Sequence, residues 1–157
     1  MTNRRPRAAS DGLPDVEVVV VGGGPAGSTL AGMLAASGHD VVLLDKARFP
    51  RHKACSEYVN PAGVRILEEI GVGDLVRAVN PHRMERMIVH APGGGCFVAD
   101  FADAETGSAS LGLSRFRLDN LLLRHAESLG AKVVERAHVR DVIRGDGRAV
   151  GVEATIG

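Results

Sequence analysis

Apolar and polar positions change period several times along the chain. Val16–Val21 is an almost unbroken run of β-branched residues, the pattern of a strand covered on both faces. The stretch 25–37 is small and apolar, starts with Pro25 and stops before Gly38, which predicts a helix. Val41–Leu44 is a second buried strand, ending at Asp45. Strand, turn, helix and strand make a βαβ unit with a right-handed crossover.

The pattern then lapses. Residues 46–60 lack periodicity, and a loop of that length in a compact domain is usually functional or disordered. Helices are predicted over 61–70 and 74–79. Apolar runs over 84–90 and 96–101 flank Ala91-Pro92-Gly93-Gly94-Gly95 and predict a β-hairpin. A polar loop is expected over 103–110 and a short strand over 111–114. The segment 116–129 carries Leu118, Leu121, Leu122 and Ala126 at helical spacing, with Gly130 as its stop. Strands follow at 132–134, 139–144 and 149–156, the last two joined by Gly145-Asp146-Gly147. The expected fold class is α/β: a Rossmann-like dinucleotide-binding βαβ core with a parallel sheet and an inserted β-hairpin.

Composition narrows the function. Nineteen basic residues balance nineteen acidic ones, which argues against a nucleic-acid binder. Twenty glycines in 157 residues exceed the usual share of about 7%. Aromatics are scarce, so the core must be built from Val, Leu, Ile and Ala. No apolar run reaches the roughly 20 residues of a membrane span. Residues 1–14 hold three Arg without an apolar stretch and are expected to be a flexible basic leader rather than a secretory signal. Cys55 and Cys96 form no disulfide framework, the histidines are scattered without a metal site, and a cytoplasmic location is expected.

The chemistry sits in Gly22, Gly24 and Gly27, a G-x-G-x-x-G placed after a strand and at a helix start. Gly22 permits the turn, Gly24 lets a pyrophosphate approach the backbone, and Gly27 lets helix and strand pack closely. The helix start offers free N–H groups to phosphate. Asp45, at the end of the next strand, is placed to accept hydrogen bonds from an adenosine ribose. The long cationic loop and the hairpin, in place of another alternating helix and strand, favour FAD over a plain NAD domain. Arg48, Arg51, His52 and Lys53 read either as a solvated basic loop or as cofactor contacts. Arg115 begins a helix, where a cation gains nothing from the dipole, so an anionic cofactor is expected to compensate it.

The stretch Val18–Gly71, together with Arg115-Phe116-Arg117-Leu118-Asp119, resembles the N-terminal part of FAD-dependent oxidoreductases grouped around aromatic hydroxylases, flavin halogenases and geranylgeranyl reductases. The resemblance implies that Gly22, Gly24, Pro25, Ala26 and Gly27 line the FAD pyrophosphate, with Asp45 on the ribose and Lys46 beside it. It implies that Arg48 or Arg51 reaches the phosphates or ribitol and that Ala54, Cys55 and Ser56 pass near the flavin. Arg115 would contact the cofactor, and Val139 would present its backbone to the adenine. The loop departs from the reductases at Ser56 and Glu57, where they have glycines, and lacks the halogenases' Gly-Glu-Ser. The implied activity is an NAD(P)H-dependent flavoprotein monooxygenase acting on a small organic substrate, with catalytic residues unassigned. The alternatives are an isoprenoid double-bond reductase and a non-catalytic dinucleotide-binding module. Residues 15–157 are expected to form an FAD-binding domain that lacks a later FAD segment and a substrate domain.

Overall fold

The computed structural model describes residues 15–101 and 109–157. The expected leader and most of the expected loop over 103–110 lie outside the described residues. The elements in order are β1 (Val18–Val21), α1 (Pro25–Ala36), β2 (Val41–Leu44), β3 (Tyr58–Val59), α2 (Pro61–Glu69), α3 (Gly73–Ala78), β4 (His82–Met84), β5 (Arg86–His90), β6 (Cys96–Asp100), β7 (Ser110–Gly112), α4 (Arg115–Ser128), β8 (Lys132–Val134), β9 (Ala137–Gly145) and β10 (Arg148–Ile156).

The central sheet is parallel, with order β1-β2-β8. Every residue of the middle strand β2 is buried, because layers cover both of its faces. Val41 and Leu43 point into a cluster with Ala31 of α1 and Leu123 and Ala126 of α4. Val42 and Leu44 point the other way, onto Ala137, Val139, Val152 and Ala154 of the β9–β10 hairpin. The strand therefore reads as a continuous apolar run although its side chains alternate. A second cluster, Leu67, Val72, Val76, Leu118 and Leu122 among its members, joins α2 and α3 to the neighbouring stripe of α4.

Gly32 sets how closely α1 meets α4, since a Cβ there would lie 3.2 Å from the Ala126 Cα. The β9–β10 turn is the short one its residues demand: Asp146 and Gly147 both have positive φ, and Arg148 pairs with Gly145.

Several boundaries differ from the sequence pattern. The loop expected over 46–60 ends in β3, two residues paired with β7, too short to show a period. The run 84–90 is two strands broken at Glu85: β4 pairs with β7 and β5 pairs with β6. Ser110, expected in the loop, opens β7 fully buried, 3.0 Å from the Tyr58 hydroxyl. Ser114, expected in the strand, is the N-cap position of α4, and Arg115 is already helical.

Candidate functional site

The glycine turn between β1 and α1 lies at the carboxyl end of the parallel sheet, where ligands bind in open α/β folds. Gly22 has φ +103, which a side-chain-bearing residue rarely adopts. A Cβ at Gly27 would stand 1.9 Å from the Gly22 carbonyl oxygen, so only glycine lets the helix start so close to the strand. Gly24 occupies the N-cap position and supplies no side-chain cap, which leaves the first N–H groups of α1 to another acceptor. Gly23, which the motif treats as a variable position, is as constrained as its neighbours. A Cβ there would come within 2.9 Å of Leu123 and 3.2 Å of Phe49.

Asp45 closes β2 and is buried. One carboxylate oxygen accepts from the Gly23 N–H and the other from the Ala47 N–H, both at 2.7 Å. The acid thus holds the glycine turn against the sheet. Each oxygen retains a lone pair that can accept from a hydroxyl. The chain beyond it is anchored by Glu135, which accepts from the Phe49 N–H at 3.0 Å and pairs with Arg124.

Two arginines reach the turn from elsewhere in the chain. The Nη2 atoms of Arg115 and Arg51 lie 3.6 Å and 3.9 Å from where a Gly24 Cβ would be. Both pair with Asp119, which is fully buried in α4. Arg115 donates from Nε at 2.5 Å and from Nη2 at 2.9 Å, and Arg51 donates from Nη1 at 2.9 Å. Arg51 also lies over the Phe49 ring, 4.7 Å from its centroid. The cation at the start of α4 is therefore compensated by an acid one turn along its own helix. The charge expected from an anionic cofactor is supplied by Asp119 of the chain itself. The Asp119 carboxylate raises the Arg115 guanidinium above its ordinary value.

Cys55 is exposed, and its thiol is lowered first by the Glu57 backbone N–H and then by Arg115.

A cleft of about 860 Å³ runs along this edge. Gly22, Gly24, Pro25, Ala26, Gly27, Asp45, Lys46, Arg51 and Val139 all line it. His52 and Lys53 of the basic loop line it too, as does His138, which the residue pattern did not single out. Arg48 is exposed and outside the lining, so of the two loop arginines the structure brings in Arg51. Ala54, Cys55 and Ser56 are exposed and outside the lining, with Arg115 near enough to Cys55 to lower its thiol. Asp119, read from the sequence only as part of the Arg115–Asp119 segment, is the acid to which no role was given. Its signal was a carboxylate between Leu118 and Leu122 on the buried stripe of a helix, four residues after an arginine, since buried acids are almost always paired.

Residues 15–155 match the model of the FAD binding domain family. The chain is 36% identical over 118 residues to menaquinone reductase of Mycobacterium tuberculosis, covering 75% of this chain and 28% of that protein. It is 35% identical over 144 residues to digeranylgeranylglycerophospholipid reductase 1 of Methanopyrus kandleri, covering 88% of this chain and 34% of that protein. Among solved structures, the myxobacterial chondrochloren halogenase CndH superposes with a TM-score of 0.81 at 33% identity, covering 90% of this chain and 33% of the halogenase. The chain thus spans about a third of the length of these relatives.

Proposed function

The chain belongs to the FAD binding domain family of FAD-dependent oxidoreductases, and from that premise we propose that residues 15–157 are the FAD-binding domain of an NAD(P)H-dependent flavoprotein of monooxygenase type acting on a small organic substrate. One observation supports the cofactor reading above the others. An uncapped helix start, the Arg51 guanidinium and a strand-end carboxylate line one cleft, and the Arg115 guanidinium, outside the lining, lies beside Gly24.

The residues present fit the cofactor. The open N–H groups at Gly24, Ala26 and Gly27 suit a pyrophosphate, and Arg51 and Arg115 supply positive charge beside it. Asp45, with Lys46 next to it, offers its remaining lone pairs to ribose hydroxyls. Val139 of β9, which lines the same cleft, offers backbone to the adenine. In this reading Ala54, Cys55 and Ser56 would pass near the flavin, although they lie outside the cleft lining. When bound, FAD supplies the electron transfer, while the protein supplies orientation and electrostatics. Among the described residues, no helix is long and apolar enough to cross a membrane.

Titrating the purified chain with FAD tests this reading. Quenched flavin fluorescence and a perturbed visible spectrum are expected, with anaerobic bleaching by NADH or NADPH. A flavin spectrum that stays that of free FAD at saturating protein overturns it. A second reading, reduction of an isoprenoid double bond, is favoured by the reductase names of two relatives. Labelled oxygen separates the two: incorporation into product marks the monooxygenase, and gain of two hydrogens without oxygen uptake marks the reductase.

A further inference from the structure

We infer that Asp119 is a positioning residue, which locks Arg51 and Arg115 against the Gly24 turn so that the chain presents a preset cationic fork to a diphosphate. The inference rests on the FAD reading for the identity of the diphosphate, but its geometry stands in this chain alone.

The two arginines arrive from unrelated places. Arg51 sits in the loop after β2 and Arg115 opens α4, and nothing local makes them converge. Their common partner is one carboxylate with no exposed surface. Asp119 takes Nε and Nη2 of Arg115 and Nη1 of Arg51, which leaves Nη2 of Arg51 and the second hydrogen of Arg115 Nη2 beside Gly24. Within this trio, two guanidinium groups and one carboxylate leave one net positive charge. Long arginine side chains lose much rotamer freedom when they are fixed. Here that loss is taken on folding rather than on ligand capture, which is how preorganisation raises affinity.

Charge and position make opposite predictions for one substitution. Asp119→Asn removes a negative charge near the turn, so a purely Coulombic role would tighten the binding of an anion. It also leaves one accepting oxygen where there were two and turns an NH2 toward a guanidinium, so a positioning role weakens binding. The probes are ADP and FAD, titrated against the chain in a Cys96→Ser background with far-UV circular dichroism to confirm the fold. We expect Asp119→Asn to weaken ADP and FAD by about tenfold, the scale of a charge-assisted hydrogen bond. In the ligand-free protein, the pH profile of Cys55 alkylation should also move upward as Arg115 leaves the thiol. ADP affinity that is unchanged or tighter overturns the proposal, and so does an unmoved Cys55 profile.

Should Asp119→Asn fail to fold, Arg115→Lys decides. It keeps the charge, and it leaves Asp119 paired with Arg51, but it loses the fork. Several-fold weaker ADP binding supports the proposal, and wild-type affinity overturns it. ADP binding that depends on Asp119, with no FAD binding by the unsubstituted chain, sustains the clamp and overturns the FAD reading. Failure of the unsubstituted chain to bind either probe overturns both.

Discussion

At the scale of single residues, the site is built from side chains that serve the protein before they serve a ligand. Asp45 was legible as a ribose ligand from its place after the second strand. Its grip on the Gly23 and Ala47 N–H groups was not, because hydrogen bonds across a turn leave no mark in the residue pattern. This changes what a substitution should do. Asparagine keeps one accepting oxygen and turns an NH2 toward the other N–H. Asp45→Asn should therefore destabilise the ligand-free chain by about 1–3 kcal/mol, the cost of a buried donor left unsatisfied. A thermal melt of the ligand-free variant checks it, and an unchanged midpoint would mean that the carboxylate does not hold the turn. Cys55 gives a second test. Its thiol is lowered by the Glu57 N–H and by Arg115, so thiolate persists to lower pH than in an ordinary cysteine. Iodoacetamide should label Cys55 with a midpoint below the usual thiol range. Arg115→Ala should raise that midpoint but not restore it fully, since the backbone donor remains.

At the scale of elements, close approaches depend on absent side chains. Gly27 was readable from the motif, and its reason is now specific: a Cβ would meet the Gly22 carbonyl at 1.9 Å, backbone against backbone, with no rotamer to relieve it. Gly27→Ala should cost about 1–3 kcal/mol, the usual range for overpacking, and should reduce FAD binding as α1 is pushed from β1. Wild-type melting and wild-type flavin affinity together would refute this packing. Gly23 lay hidden because its neighbours Leu123 and Phe49 come from α4 and from the loop after β2, far away in sequence. The short strand β3 was hidden for a related reason. It exists because it pairs with β7, which also pairs with β4, and two residues carry no period of their own.

Over the whole molecule, the stable part and the peripheral part separate by burial. β2 lies between two apolar clusters, whereas the β5–β6 hairpin forms its own sheet with Met87, Ile88, Phe97 and Val98 exposed. Leu43→Ala should destabilise the chain by about 2–5 kcal/mol. Ile88→Ser should change stability by no more than about 0.5 kcal/mol. Denaturant midpoints of the two variants check the contrast. A large loss from Ile88→Ser would show that the hairpin is packed in solution against something that covers it.

The sequence by itself determined the βαβ core, the parallel central strands, the glycine turn, the acid at the end of β2 and the tight β9–β10 turn. Each is written in contiguous residues: an apolar run, a spacing of glycines, an Asp-Gly pair. Only the tertiary structure decided which loop arginine enters the cleft, that Arg48 stays outside it, and that Asp119 gathers Arg51 and Arg115. Those outcomes depend on side chains up to 68 residues apart that meet at one buried carboxylate. A buried acid must find its cations wherever the fold brings them, and no local pattern specifies where that is.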